Sequence, residues 1–250
     1  MIVLGIESAT ELVGVAVADD DGPRAAVWVT GRRRHAEALA PAIAQVLELA
    51  GVELADLGAV AVDLGPGLFT GLRVGVATAK GLGQGLGVTV VGLTSLAVLA
   101  RAAADAGVFG PVAAVVDARR SEVFCARYVL GDSEGDGERD GAASTVREVA
   151  PPRVLAPEAL AVELAADRAG VLALGDGARR YAGVLGTVPG LRVAGPSLAA
   201  PPPAIVAAMA VGHLAAGGVG TAPAEVRPFY LREADARINW AQRDPMPPAG

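Results

Sequence analysis

The sequence predicts a duplicated α/β fold made of two lobes, each with a mixed sheet and covering helices. Its 250 residues are enough for two lobes that each bury a core of their own. The order strand, strand, strand, helix, strand, helix can be followed twice along the chain. We therefore expect an N-terminal lobe over 1–107, a C-terminal lobe over 108–237 and a flexible tail over 238–250, where three prolines occur.

The first half begins with three predicted strands over 2–8, 13–18 and 25–30, because apolar residues alternate or run together between short polar turns. These strands form an antiparallel meander. A helix follows over 35–50 and ends at Gly51, and a buried type of strand is predicted over 58–64. A glycine-rich helix over 70–85, a strand over 88–92 and a helix over 94–106 complete this half.

The second half repeats the order. Strands are predicted over 112–117 and 122–130, with a third near 145–149 beyond an acidic, glycine-rich stretch over 131–141 that is typical of a mobile hairpin loop. A helix over 157–169, a strand over 171–174 and a last helix over 203–216 follow.

Composition excludes several classes of protein. No apolar run approaches the roughly 20 residues that a membrane-spanning helix needs. The net charge of −6 disfavours a broad surface for a nucleic-acid backbone. The chain enters its first strand without an export leader, and its single cysteine, Cys125, lies in an apolar run typical of a buried residue. We therefore expect a cytoplasmic protein in a reducing compartment.

The most informative segment is the turn Gly65-Pro66-Gly67 with the helix that follows it. That helix carries small residues at four-residue intervals, namely Gly71, Gly75, Ala79 and Gly83. Each interior glycine costs about 0.5–1 kcal/mol relative to alanine, so another backbone is expected to approach this stripe closely.

The helices predicted over 35–50 and 70–85 carry more apolar surface than one sheet can cover, which predicts an intermolecular helical bundle. A core helix packed only within this chain, or a phosphate cradle at the Gly-Pro-Gly turn, are the alternatives. Ala42 and Ala77 are expected to be exposed in a monomer, whereas Gly75 could face the chain's own sheet. The residues assigned to the partner surface are His35, Ala38, Leu39, Ala42, Ile43, Val46, Phe69, Arg73, Val74, Ala77 and Lys80.

Segments at 4–10, 34–41, 65–83, 117–124 and 228–232 together resemble, in order, the motifs of the TsaB (YeaZ) family. The resemblance implies an actin-like, Hsp70-like and sugar-kinase-like fold. It also implies a non-catalytic subunit that binds a TsaD-like threonylcarbamoyltransferase and supports formation of N6-threonylcarbamoyladenosine at the adenosine next to the tRNA anticodon. A TsaE-like ATPase would join the assembly, tRNA would be contacted only through the complex, and a homodimer in isolation is left open.

ATP-handling relatives of that fold use Asp-x-Gly turns at phosphate, and the corresponding turns here look degraded. The first has no glycine and the second carries bulky arginines. The degenerate nucleotide cleft would consist of Glu7, Thr10, Asp117, Arg119, Gly175 and Gly177. The same glycines and acids would equally suit strand ends and a capped turn.

We predict no catalytic residue, no metal and no cofactor. The two histidines, His35 and His213, are far apart, whereas a metal site on one helix face needs a closely spaced pair. The nucleophile motif Gly-x-Ser-x-Gly is missing from the sequence. The alternatives are a small-molecule kinase or ATPase of the same superfamily and a glycoprotease-like metallopeptidase.

Overall fold

A computed structural model describes residues 1–30, 35–131, 145–167 and 170–232. The predicted tail over 238–250 and most of the predicted loop over 131–141 lie outside these residues. The described part contains two five-stranded mixed sheets with helices, which confirms the predicted α/β class.

The first sheet has the strand order β3-β2-β1-β4-β5. It comprises β1 (Val3–Glu7), β2 (Leu12–Asp19), β3 (Gly22–Thr30), β4 (Ala59–Asp63) and β5 (Thr89–Leu93). Strands β1 to β3 are antiparallel, as the short polar turns between them predict, while β1, β4 and β5 are parallel. Helices α1 (His35–Ala50) and α2 (Phe69–Leu86) lie in the connections that parallel strands require, and α3 (Ser95–Asp105) leads from β5 to the second sheet.

The second sheet has the order β10-β9-β6-β7-β8. Its strands are β6 (Gly110–Arg119), β7 (Glu122–Gly131), β8 (Thr145–Leu155), β9 (Leu172–Leu174) and β10 (Arg192–Val193). The remaining helices are α4 (Pro157–Leu164), α5 (Asp176–Arg180), α6 (Ala182–Leu185) and α7 (Pro203–Ala215). Strand β8 is longer than the sequence predicts, and β10, α5 and α6 were not predicted.

The elements stack in five layers. Helices α1 and α2 cover one face of the first sheet, α7 covers its other face, α3 lies between the two sheets, and α4 to α6 cover the far face of the second. The faces follow from side-chain alternation: Leu4 and Ile6 point towards α1 and α2, while Val3 points towards α7.

Helix α7 belongs to the predicted C-terminal lobe by sequence but packs on the first sheet. The reason is the small side chains on that face. Gly5 sits against the helix so closely that a Cβ there would lie 2.7 Å from the backbone nitrogen of Ala207. Alanines of β2, β4 and α7 complete the contact between the sheet and the helix. The division of the chain into lobes at residue 107 stays a prediction.

Within the described residues, no helix is both long and apolar enough to cross a membrane.

Candidate functional site

The turn between β1 and β2 is held by its own acid. Glu7 is wholly buried, and its Oε1 accepts the N–H groups of Ala9 at 3.0 Å and Thr10 at 3.2 Å. The Thr10 hydroxyl donates to the same oxygen at 3.2 Å. Both predicted cleft residues of this turn therefore stabilise the turn itself.

The turn between β6 and β7 is held by Asp117 and Arg119. Asp117 Oδ1 accepts the Arg119 N–H, and Oδ2 accepts Arg119 Nη1, each at 3.0 Å. Arg119, Arg120 and Ser121 have φ of 62°, 53° and 58°, so the turn uses the left-handed region throughout. The other guanidinium nitrogen of Arg119 donates to Glu11 Oε1 at 3.0 Å. This ion pair joins the two turns.

The predicted glycines at the third turn face the chain's own backbone. Gly175 has a φ of 98°, and a Cβ there would overlap the carbonyl oxygen of Val115. A Cβ at Gly177 would lie 2.8 Å from the carbonyl carbon of Val116. These glycines allow α5 to pack on β6, and this internal requirement accounts for them without a ligand.

Asp63 is an acid of this region that the sequence reasoning missed. It is wholly buried, and its side chain lies close enough to Glu7 for the two charges to interact. Burial, together with the charge of Asp63, raises the pKa of Glu7 well above its ordinary value of 4.5, and burial also raises the pKa of Asp63. Both residues end adjacent parallel strands, where Ile6 pairs with Val62, so strand order could have placed them together. The acid beside Glu7 is therefore Asp63, which the predicted cleft did not include.

A cleft of about 280 Å³ opens beside the first turn of α2. Phe69 and Tyr230 line this cleft, and both contact Arg73. The Arg73 guanidinium lies 3.7 Å from the centre of the Phe69 ring, and Arg73 Nε donates to the Tyr230 hydroxyl at 3.2 Å. The Phe69 and Tyr230 rings are 5.7 Å apart, and both side chains are about half exposed. Tyr230 could not be linked to α2 from sequence because 157 positions separate it from Arg73.

The predicted partner surface is split by the structure. Leu39, Ala42, Ile43 and Val46 are at most 7% exposed and lie in the core between α1 and the first sheet. The expectation that Ala42 is exposed is therefore wrong, because the sheet of this chain covers that side of the helix. In the monomer, these four residues therefore have almost no exposed surface with which to contact a partner.

The other predicted residues lie nearer the surface. Phe69, Arg73 and Ala77 are exposed, and Ala38 and Val74 are half-buried. Lys80 is half-buried because its Nζ donates to the carbonyl oxygens of Ala224 at 3.1 Å and Val226 at 3.4 Å. The side chain of His35 lies outside the described part of the structure.

We define the α1–α2 face as the outward side of these two helices. It consists mostly of small or apolar residues. Its exposed members are Ala36, Glu37, Ala40, Pro41, Ala44, Gln45, Glu48 and Leu49 on α1, and Phe69, Thr70, Arg73, Ala77, Gly81, Gln84 and Gly85 on α2.

The glycines of α2 lie on two sides of the helix. Gly71, Gly75 and Gly83 are buried against this chain, and a Cβ at Gly75 would overlap the Ser8 hydroxyl. Gly81 has no heavy atom within 4 Å of a built Cβ, and the same holds for Gly85. Packing within the subunit therefore explains the glycines at 71, 75 and 83, but it does not explain Gly81 and Gly85.

Among the described residues, no group of three or more histidine, cysteine, aspartate or glutamate side chains could hold a metal ion. His213 lies exposed near the end of α7, where its Nε2 is 3.3 Å from the Val219 carbonyl oxygen. Cys125 is buried, as its apolar neighbours predict, and burial raises the pKa of its thiol to about 12.

Comparisons with known proteins agree on one group of relatives. The family model described as "TsaD: tRNA N6-adenosine threonylcarbamoyltransferase" matches residues 29–175. The tRNA threonylcarbamoyladenosine biosynthesis protein TsaB of Haemophilus influenzae is 30% identical over 169 residues, which are 68% of this chain and 70% of that protein. The TsaB protein of Escherichia coli is 35% identical over 128 residues, 51% of this chain and 55% of the relative. The chain thus spans about half the length of the first curated relatives it matches.

Solved structures give the same result over a longer range. YeaZ from Pseudomonas aeruginosa superimposes with a TM-score of 0.74 at 27% sequence identity, covering 92% of this chain and 99% of that one.

Proposed function

Because the chain belongs to the TsaB (YeaZ) family, we propose that it takes part in forming N6-threonylcarbamoyladenosine in tRNA. Its role is that of a non-catalytic subunit that binds and supports a TsaD-like transferase. The Escherichia coli and Haemophilus influenzae relatives are tRNA threonylcarbamoyladenosine biosynthesis proteins, which supports the proposal.

The α1–α2 face is the observation that carries the binding role. Gly81 and Gly85 lie in a helix with open space beside them, and each costs about 0.5–1 kcal/mol relative to alanine. Packing inside the subunit does not require either of them. A partner helix that approaches the α2 backbone closely would use this space, and the exposed side chain of Leu49 on α1 would be covered at the same time.

The absence of a catalytic role is supported by how the two turns use their acids. Glu7 Oε1 and both carboxylate oxygens of Asp117 accept hydrogen bonds from their own turns. Arg119 bridges the two turns, and the backbone of β6 packs directly against Gly175 and Gly177. Acids and glycines that serve the chain's own turns in this way favour a structural role over the kinase and metallopeptidase alternatives.

The remaining partners follow from the same role. A TsaE-like ATPase would join the assembly, and tRNA would be contacted through the complex, since the net charge of this subunit is −6. Without the transferase, the α1–α2 face would be free to pair with a second copy of this chain. The assembly would act in the cytoplasm, where tRNA is modified.

Arginine substitutions on the face test the proposal. Ala77→Arg on α2 and Ala44→Arg on α1 change exposed residues, so the free energy of unfolding of the subunit should move by no more than about 0.5 kcal/mol. Each should weaken association with the TsaD-like protein of the same cell by at least about 100-fold, because an unpaired charge would be buried. Analytical ultracentrifugation of the two purified proteins measures this.

Ala159→Arg is the matched control, since Ala159 is an exposed alanine on α4, a helix of the second sheet. It should leave association unchanged. Normal association of both face variants would place the partner elsewhere and refute the proposed surface.

A further inference from the structure

Two wholly buried acids meet beneath α2. Glu7 ends β1 and Asp63 ends β4, and these strands are parallel neighbours, so the two side chains emerge at the same edge of the sheet. Their carboxyl groups are near enough for the charge of Asp63 to act on Glu7.

One oxygen of each acid is fully used. Glu7 Oε1 accepts from the Ala9 and Thr10 N–H groups and from the Thr10 hydroxyl. Asp63 Oδ1 accepts from the Gly65 N–H at 2.7 Å and from the Ser95 hydroxyl at 2.8 Å. The remaining oxygens, Glu7 Oε2 and Asp63 Oδ2, are buried without a donor from any described residue. Two ionised carboxylates cannot face each other in such a place, because each carries a charge out of water and repels the other.

No cation on the surrounding elements is directed at the pair within the described residues. On α2, Arg73 bonds Tyr230 and Lys80 bonds backbone carbonyls. On α3, Arg101 pairs with Asp105.

The acid of the adjoining β1–β2 turn, Glu11, is bound by Arg119. Asp117, the acid of the second turn, is held by Arg119 and lies 3.7 Å from Arg180 Nε. Among the described residues, the charged group beside each buried acid is therefore the other acid.

We propose that Glu7 and Asp63 share one proton at neutral pH, so that a carboxylic acid–carboxylate hydrogen bond fastens the β1–β2 turn to the turn that begins α2. The proton resides on Glu7 Oε2, which donates to Asp63 Oδ2. The same bond reaches α3 through Ser95, so three segments are tied together under the start of α2. The bond does not depend on the proposed function.

The pKa directions agree with this arrangement. The pKa of Glu7 is raised first by burial and then by Asp63, so the folded protein holds a proton that the unfolded chain releases near pH 4.5. A raised pKa in the folded state means that the stabilisation is complete below the unfolded pKa and is lost as the pH rises through the folded pKa. The wild-type melting temperature should therefore fall on the alkaline side, once Glu7 begins to ionise.

Amide substitutions test the shared proton. Glu7→Gln keeps the carbonyl oxygen for the turn and gives Asp63 an N–H donor, and Asp63→Asn does the converse. Each single variant should melt within a few degrees of the wild type at neutral pH and lose the alkaline fall.

The double variant should behave differently. Both carbonyl oxygens are fixed by the turn donors, so the two NH2 groups would face each other with no acceptor. We expect its melting temperature to lie about 5 °C or more below the value obtained by adding the effects of the two single variants. A double variant as stable as additive singles would overturn the proposal.

Infrared spectroscopy of the folded wild type keeps the proposal testable if the double variant does not fold. At neutral pH, the C=O stretch of one protonated carboxyl group should be present and should vanish in Glu7→Gln and in Asp63→Asn. A wild-type spectrum without that band, or a band that survives in both single variants, would show that the pair holds no shared proton.

Discussion

Gly75→Ala and Gly81→Ala place the same methyl group on opposite sides of α2, and we expect opposite effects on stability. At Gly81 no heavy atom lies within 4 Å of the added Cβ, so only the helix propensity of alanine acts. The free energy of unfolding should rise by about 0.5–1 kcal/mol, which for a chain of this size raises the melting temperature by about 1–4 °C.

At Gly75 the added Cβ would overlap the Ser8 hydroxyl, which donates to the Gly71 carbonyl oxygen at 2.9 Å in a buried position. Moving the hydroxyl leaves a buried polar group unpaired at a cost of about 1–3 kcal/mol, and the extra methyl group strains the packing by a similar amount. After the helix-propensity gain, the net loss should be about 1–5 kcal/mol.

Urea unfolding of the isolated subunit, followed by circular dichroism, separates the two cases if the dependence on denaturant stays equal. Gly81→Ala should also weaken binding of the TsaD-like partner although it stabilises the subunit. Equal stabilisation by both substitutions would refute the assignment of the inner and outer sides of α2.

Two further predictions concern other parts of the fold. Gly175→Ala should lower the free energy of unfolding by about 2–4 kcal/mol, because the φ of 98° at this position is strained for alanine and the added Cβ would overlap the Val115 carbonyl oxygen. Gly195→Ala, at an open position, should be nearly neutral in the same urea titration. Cys125, with a thiol pKa raised to about 12 by burial, should react with Ellman's reagent at mildly alkaline pH only after unfolding, and rapid labelling of the folded protein would contradict its place in the core.

The strands of the first half were predictable because their apolar alternation reflects burial on local faces. The position of α7 was not predictable. Its residues are apolar around most of the circumference, so periodicity gives no preferred side, and its contact with β1 depends on Gly5 and Ala207, which are distant in sequence.

The partner surface shows the same limit. Periodicity marks Leu39 and Val46 as apolar but cannot say whether the covering surface is the chain's own sheet or another protein, and the structure shows the former. Glycine spacing likewise identified the buried stripe of α2 but not the open positions at Gly81 and Gly85. Asp63 was missed because the proximity of the two acids depends on the strand order. Tyr230 was missed because it contacts α2 from the end of the described chain, far away in sequence.

The most direct measurement is reconstitution of tRNA modification from purified components. Formation of N6-threonylcarbamoyladenosine would be followed with this chain alone, with the TsaD-like transferase and its other factors alone, and with all of them together. We predict no product with this chain alone, full activity only in the complete mixture, and loss of that activity with Ala77→Arg but not with Ala159→Arg. Turnover by this chain alone, or full activity of the mixture without it, would contradict the proposal of a non-catalytic supporting subunit.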